Sequence, residues 1–258
     1  MPAEKNRRMA YSVAGGASVL LVVIYCVAQS WGSLLGPVTD VIFVVISGSC
    51  ALMAFEVVRR TGLKGNFGIV YGGFFLCVFL WFLGETTWAV YGVLLGIEIP
   101  YPSVADVFYM FGYLPAFVGS IKFLSVFGTG MGKRKIFGIV TLGVVAIIAV
   151  LTFLSMPLAV AETNFFASFL DVAYPSFDVI LIVLGICMLF TFRGGKVGIP
   201  WQWITLGLLL LAIYDIAFSF GTLQGWYYSG HPVEIVYGLG YISLALGFYG
   251  QILAVEPE

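Results

Sequence analysis

Long runs of apolar residues, separated by short polar segments, occur eight times along the chain. They cover roughly residues 10–31, 38–58, 67–95, 104–127, 136–158, 166–192, 201–223 and 232–254. A hydrocarbon core of about 30 Å needs about 20 apolar residues per helix, so each run is long enough to cross a membrane. Because a backbone in lipid must satisfy its own hydrogen bonds, runs of this kind predict helices. The pattern predicts an all-α polytopic integral membrane bundle, a single transmembrane domain over residues 1–258.

The composition supports this interpretation. Of the 258 residues, 61% are hydrophobic and only 10% are charged, whereas 17% are aromatic and 32 are glycine. A soluble domain carries about 25% charged residues, so ordinary globular, disordered and disulfide-scaffold classes are excluded. The eight runs use most of the chain, and we therefore expect no soluble catalytic domain, no cofactor and no nucleic-acid partner. The predicted surroundings are the lipid bilayer of the cell (plasma) membrane.

Basic residues are confined to one side of the predicted alternation of spans. Because cytoplasmic loops carry an excess of lysine and arginine, this distribution predicts eight spans with both termini in the cytoplasm. The first run is too long for a signal peptide and is expected to be retained as a helix. The basic residues are Lys5, Arg7, Arg8, Arg59, Arg60, Lys64, Lys122, Lys133, Arg134, Lys135, Arg193 and Lys196.

Most carboxylates lie on the opposite side, without basic residues near them. Asp40, Asp106, Asp171 and Glu234 come in or near the first turn of spans that run inward, where a carboxylate caps free N–H groups. Glu98 and Glu162 are expected to be solvated in loops, while Glu56, Glu4, Glu256 and Glu258 lie on the basic side. Glu56 precedes Arg59 and Arg60 at helical spacing, which predicts a surface ion pair.

Three acids are too deep for the capping explanation. Asp178 lies seven residues beyond Asp171, about 10 Å deeper at about 1.5 Å per residue, and Asp215 and Glu85 fall at a comparable depth. Ionisable groups inside membrane spans are rare and usually face the interior of the bundle, so they indicate a functional site.

Aromatic residues share helix faces with these acids, at spacings of three, four and seven residues. A tyrosine hydroxyl can donate a hydrogen bond to a carboxylate while the ring packs against apolar neighbours. An interfacial aromatic belt is the alternative explanation for the shallow tyrosines and for Trp226, Tyr227 and Tyr228. The predicted ligand-binding residues are Glu85, Trp88, Asp106, Tyr109, Tyr113, Tyr174, Asp178, Asp215, Tyr237 and Tyr241.

Carboxylates without a basic partner must be protonated, hydrogen-bonded or neutralised by a cation from outside. A metal ion would be held by Glu85, Asp106, Asp178 and Asp215, and these oxygen ligands suit calcium or sodium better than zinc. A small organic cation would gain cation–π contacts from the aromatic faces. The four cysteines lack metal-binding spacing and are expected to be packing residues.

Two segments carry a resemblance to a known class. The first is Trp88-Ala-Val-Tyr91 followed by Pro100-Tyr-Pro-Ser-Val-Ala-Asp-Val-Phe-Tyr-Met-Phe-Gly-Tyr113. The second is Ala173-Tyr-Pro-Ser-Phe-Asp178. They resemble the multi-pass membrane sensor regions that precede cytoplasmic output domains in prokaryotic signalling proteins such as diguanylate cyclases and histidine kinases. The second segment also echoes the Tyr101–Asp106 stretch within this chain.

The resemblance implies a characteristic face made of Trp88, Pro102, Ser103, Asp106, Tyr109, Tyr113, Tyr174, Pro175 and Asp178. It also implies signalling through a separate cytoplasmic partner, because this chain has no output domain after its last span. Independently, Pro-Ser-x-x-Asp is a helix-entry sequence with the form of a capping box. Pro175 lies inside the sixth span, where a kink could open a cavity or be accommodated by neighbouring helices.

Two functions remain open on the sequence alone. The first is a non-enzymatic sensor or receptor-like module with an outward-facing acidic and aromatic pocket for a cation or cationic small ligand. The second is a cation- or proton-coupled transporter or channel, since carboxylates in membranes also mark ion pathways. An enzyme is not expected: Tyr214-Asp215 resembles half of an intramembrane aspartyl protease signature, but the second aspartate is missing, and His231 is the only histidine.

Overall fold

A computed structural model describes residues 2–161, 164–191 and 195–255. Within these ranges every regular element is a helix. The nine α-helices are α1 (Pro2–Ala28), α2 (Leu35–Thr61), α3 (Gly65–Ala89), α4 (Val104–Phe127), α5 (Lys133–Val150), α6 (Met156–Ala161), α7 (Phe165–Leu189), α8 (Gly195–Gln224) and α9 (Glu234–Val255). A 3₁₀ turn, Gly32–Leu34, leads into α2, and π-helical segments follow α3 at Val90–Leu95 and α5 at Leu151–Ser155.

Among the described residues, eight helices are long and apolar enough to cross a membrane, and this confirms the predicted all-α multi-pass architecture. They are α1, α2, α3 with its π-helical end, α4, α5 with its π-helical end, α7, α8 and α9. Their apolar outer surfaces suit contact with the lipid bilayer. The short α6 continues from the second π segment and packs against α7.

The helices differ in how much of their surface the bundle buries. In α3, α7 and α8 about 44% of the most apolar stretch is buried, and in α9 this share is 50%. In α1 and α5 it is 11% and 6%. α3 packs against α2 and α4, α9 packs against α8, α2 and α1, and α5 packs mainly against α7. The core therefore lies around α3, α8 and α9, while α1 and α5 are peripheral.

The bundle has two chemically different ends. The basic end holds the loops 62–64 and 128–132 and the start of α1; the carboxylate end holds the loops 96–103 and 225–233. At the basic end Glu56 pairs with Arg59 at 2.6 Å and Arg60 at 2.7 Å, which confirms the predicted ion pair. Glu98 is exposed, as predicted. Glu162, Arg193, Glu256, Glu258 and the side chain of Lys196 lie outside the described part of the chain.

Glycines form the closest contacts between helices. A Cβ atom added at Gly73 of α3 would lie 2.8 Å from the Pro115 carbonyl oxygen and 3.0 Å from the Gly119 Cα of α4. On the other side of the core, a Cβ atom at Gly207 of α8 would lie 2.7 Å from the Gly240 carbonyl oxygen of α9. Since these neighbours are backbone atoms that cannot rotate away, α3–α4 and α8–α9 are packed backbone against backbone.

Replacing Gly73 with alanine should therefore destabilise the bundle. We expect the Gly73→Ala variant to lose about 1–3 kcal/mol of free energy of unfolding, because the added methyl group forces α3 away from α4. Gly16→Ala is the matched control, since a Cβ atom at Gly16 has no neighbour within 4 Å. Unfolding in detergent measures both variants, and equal stability of the two would contradict the close α3–α4 approach.

The predicted orientation can be tested with two exposed loop positions. Glu98→Cys lies at the carboxylate end and Gly132→Cys at the basic end, and the four native cysteines all lie in helices long and apolar enough to span the membrane. If the basic end is cytoplasmic, a membrane-impermeant maleimide should label Glu98→Cys in intact cells. It should label Gly132→Cys only after permeabilisation, and the wild-type chain serves as the blank. The reverse labelling pattern would overturn the predicted orientation.

Candidate functional site

Three carboxylate–tyrosine hydrogen bonds join α4 and the loop before it to α7. The Tyr174 hydroxyl donates to Asp106 Oδ1 at 2.9 Å, and the Tyr113 hydroxyl donates to Asp178 Oδ1 at 2.5 Å. Tyr101, just before α4, donates to Asp171 Oδ1 at 2.8 Å. The two segments that echo each other in the sequence therefore pack against each other, and each supplies a tyrosine to an acid of the other helix.

Asp106 has a second role at the start of α4. Its carboxylate accepts a hydrogen bond from the Ser103 backbone N–H at 2.6 Å, while Ser103 Oγ accepts one from the Ala105 N–H at 3.2 Å. This reciprocal arrangement is the capping box that the Pro-Ser-x-x-Asp sequence predicts. Asp106 thus fixes the start of α4 and, through Tyr174, its position beside α7.

Glu85 of α3 is buried inside the bundle, with only 6% of its surface exposed. The Tyr237 hydroxyl donates to Glu85 Oε1 at 2.5 Å, and the Tyr241 hydroxyl lies 3.5 Å from the same oxygen. Tyr109 of α4 also interacts with the Glu85 carboxylate. Tyrosines from α4 and α9 therefore surround the one carboxylate of α3 in this region.

Asp215 of α8 is half-buried and lies near the two buried acids. It interacts electrostatically with Asp178 on α7 and with Glu85 on α3. Asp178 is 1% exposed, and its second oxygen, Oδ2, has no hydrogen-bond partner. The Asp215 carboxylate likewise has no hydrogen-bond partner among the described residues. Two neighbouring carboxylates thus keep hydrogen-bonding capacity that the protein does not use.

We call the three acids Glu85, Asp178 and Asp215, together with the four tyrosines around them, the carboxylate–tyrosine cluster. None of its three acids has an ion-pair partner among the described residues, whose ion pairs lie at the basic end. Within the described ranges no group of three or more His, Cys, Asp or Glu side chains is placed to hold a metal ion. The carboxylate of Asp106, a predicted ligand, already accepts hydrogen bonds from Ser103 at the start of α4 and from Tyr174. The cluster comprises Glu85, Tyr109, Tyr113, Asp178, Asp215, Tyr237 and Tyr241.

A second buried carboxylate lies at the start of α9. Glu234 accepts hydrogen bonds from Tyr25 of α1 and from Tyr227 of the preceding loop, both at 2.6 Å, and from the Gly230 N–H at 2.9 Å. Tyr227 also contacts the Tyr214 hydroxyl at 3.3 Å. Burial, together with the charge of Glu234, raises the pKa of the Tyr227 hydroxyl, which therefore keeps its proton and donates it.

Two sequence-based expectations for this end of the bundle are wrong. Asp40 does not cap α2, because that helix begins more than one turn earlier, at Leu35; its carboxylate is buried and lies against Gly92. Asp171 does not cap α7, because Asn164 does so. Tyr227, for which an interfacial aromatic belt stays an alternative, is half-buried and donates to Glu234 at 2.6 Å.

Neither of two cavities in the structure is lined by the predicted site residues. One, of about 20 Å³, lies between α1, α8 and α9, and the other, of about 280 Å³, has only apolar walls around Phe153 and Phe220. The predicted Trp88 is half-buried one turn beyond Glu85 and has no hydrogen bond among the described residues. α7 continues as an α-helix through the buried Pro175. Tyrosine rings fill the space around the acids.

Comparisons with protein-family models, curated proteins and solved structures find no match to this chain. The site is therefore interpreted from its own geometry.

The Tyr113–Asp178 hydrogen bond should contribute measurably to stability. We expect Tyr113→Phe to lower the free energy of unfolding by about 1–3 kcal/mol, because it leaves both Asp178 oxygens buried and unpartnered. In an Asp178→Leu background the same change should cost much less, since no acceptor remains to be left unpaired.

Tyr228→Phe is the matched control for this cycle. The Tyr228 hydroxyl donates to Gln29 Oε1 at 2.7 Å, but on the exposed surface. Its loss should change stability by no more than about 0.5 kcal/mol. If Tyr113→Phe costs the same with and without Asp178, the hydrogen bond carries no stability.

Proposed function

We propose that the protein is a non-enzymatic membrane sensor in which the carboxylate–tyrosine cluster binds a small cation, the proton included. Occupancy of the cluster changes how α3, α7, α8 and α9 pack. A separate cytoplasmic partner binds the basic end and responds to this change. The observation that carries the proposal is the interaction of Asp178, Asp215 and Glu85, on three helices, with no ion-pair partner for any of them among the described residues.

Burial makes this arrangement sensitive to its occupant. An ionised carboxylate in a low-dielectric interior is costly unless it is paired, and like charges close together raise the cost further. A proton or a monovalent cation between Asp178 and Asp215 removes part of this repulsion. The unpartnered Asp178 Oδ2 is the atom available to it. The state of one small site therefore controls the free energy of contact between α7 and α8.

The helices that meet at the cluster meet again at the basic end. Trp201 of α8 is 1% exposed and stacks on Tyr71 of α3, with the ring centroids 5.3 Å apart. The Tyr71 hydroxyl donates to Gln251 Oε1 of α9 at 3.1 Å. Because α3, α8 and α9 are packed at both ends, a shift at the cluster reaches the basic end through continuous helices.

A cation- or proton-coupled transporter is the second candidate. It is favoured by the number of acids that interact with one another. Glu85, which interacts with Asp215, also interacts with Asp40 and Glu234. A path across the membrane would have to continue towards the basic end, where the buried polar side chains of the described residues, such as Ser120 and Gln251, are uncharged. Sensing therefore accounts better for acids gathered at one end.

A fluorophore at Gly132→Cys tests the proposed sensor. In lipid nanodiscs, its emission should change when pH is titrated between about 5 and 9 or when sodium or tetramethylammonium is added, because carboxylate charge controls helix packing. The change should disappear in the Asp178→Asn/Asp215→Asn double variant, which removes both charges but keeps the side-chain shape. It should persist in Glu98→Gln, whose carboxylate is exposed in a loop.

Flux measurements separate the two candidates. Proteoliposomes with an internal pH-sensitive dye should show no proton or sodium movement under an applied membrane potential. Movement that depends on Asp178 and Asp215 would favour the transporter. An emission change that survives in the double variant would place the sensing group elsewhere.

A further inference from the structure

A narrow crevice lies between α1, α8 and α9 at the basic end, far along the helices from the acids. Its walls are almost entirely apolar and aromatic, and Arg7 supplies the charge at its mouth. Tyr11 of α1 and Trp203 of α8 border it with ring centroids 6.2 Å apart. The lining residues are Arg7, Ala10, Tyr11, Ile199, Pro200, Trp203, Leu246, Tyr249, Gly250 and Leu253.

Arg7 is half-buried and has no hydrogen bond or ion pair among the described residues. Its neighbour Arg8 differs, because its guanidinium pairs with Glu4 at 2.7 Å on the exposed side of α1. None of the side chains that line the crevice is acidic. An unpaired guanidinium at one end of an apolar groove is complementary to an anionic group attached to a hydrocarbon chain.

We propose that this crevice binds an anionic phospholipid, with the phosphate on Arg7 and an acyl chain along Ala10, Ile199 and Leu246. A guanidinium forms paired hydrogen bonds to phosphate oxygens, and basic pockets between membrane helices recognise anionic head groups. Only 11% of the most apolar stretch of α1 is buried inside the bundle, so the helix that forms one wall of the crevice is itself open to lipid.

The shape of the crevice favours a lipid over free phosphate. The crevice is partly open and has a volume of only about 20 Å³, so a ligand lies along the groove rather than inside a closed chamber. A free phosphate would gain one guanidinium contact and nothing from the apolar walls. A phospholipid gains both, and Tyr11, Trp203 and Tyr249 are the kinds of side chain found at the level of the head groups.

Native mass spectrometry of the purified chain tests the proposal. The probe is an equal mixture of phosphatidylglycerol and phosphatidylcholine with identical acyl chains. The wild-type protein should retain about five phosphatidylglycerol molecules for each phosphatidylcholine, the ratio expected from one basic residue near the membrane surface. Arg7→Gln should reduce the ratio to about one, while Arg8→Gln, an equal change of charge at the next residue, should leave it unchanged.

Two further measurements complete the experiment. Ala10→Phe keeps Arg7 but fills the crevice, and it should also remove the preference; inorganic phosphate should displace no more lipid than chloride at equal ionic strength. Thermal unfolding in detergent without lipid verifies that each variant is folded. Equal losses in Arg7→Gln and Arg8→Gln, no preference in the wild type, or displacement by phosphate would each overturn the proposal.

Discussion

The structure depends on how a buried carboxylate is accommodated inside an apolar bundle when no basic side chain of the described residues pairs with it. Tyrosine hydroxyls provide the answer at Glu85, Asp178 and Glu234, where they lie 2.5–2.6 Å from a carboxylate oxygen. In each pair the donor comes from a different element than the acid. The hydrogen bonds that satisfy the buried carboxylates therefore also fix the relative positions of the helices.

Asp215 is the exception. It interacts with two acids that have donors, and it has no hydrogen bond of its own among the described residues. A structure built only for stability gains nothing from a half-buried carboxylate beside two other acids, since like charges close together raise the cost of ionisation. Ionisable groups of this kind in membranes are characteristic of sites where a proton or ion binds.

Local chemistry was predictable from the sequence, whereas contacts between distant segments were not. The helix Val104–Phe127 has the predicted ends. Its cap is formed by Ser103 and Asp106, which lie only three positions apart in the sequence. The Tyr25–Glu234 bond joins residues 209 positions apart, and no spacing rule can find it. The capping role predicted for Asp40 failed because α2 begins earlier, after a 3₁₀ turn in which no side chain forms a cap hydrogen bond.

The interface between α4 and α7 has a consequence for how these helices can move. Its three tyrosine–carboxylate bonds follow one another along the interface, from Tyr101 near the loop to Tyr113 in the interior. A slide of one helix along the other by a single residue, about 1.5 Å, would stretch all three together. Gradual shear is therefore unfavourable, and the pair is restricted to discrete registers: it either keeps its alignment or gives it up in one cooperative step.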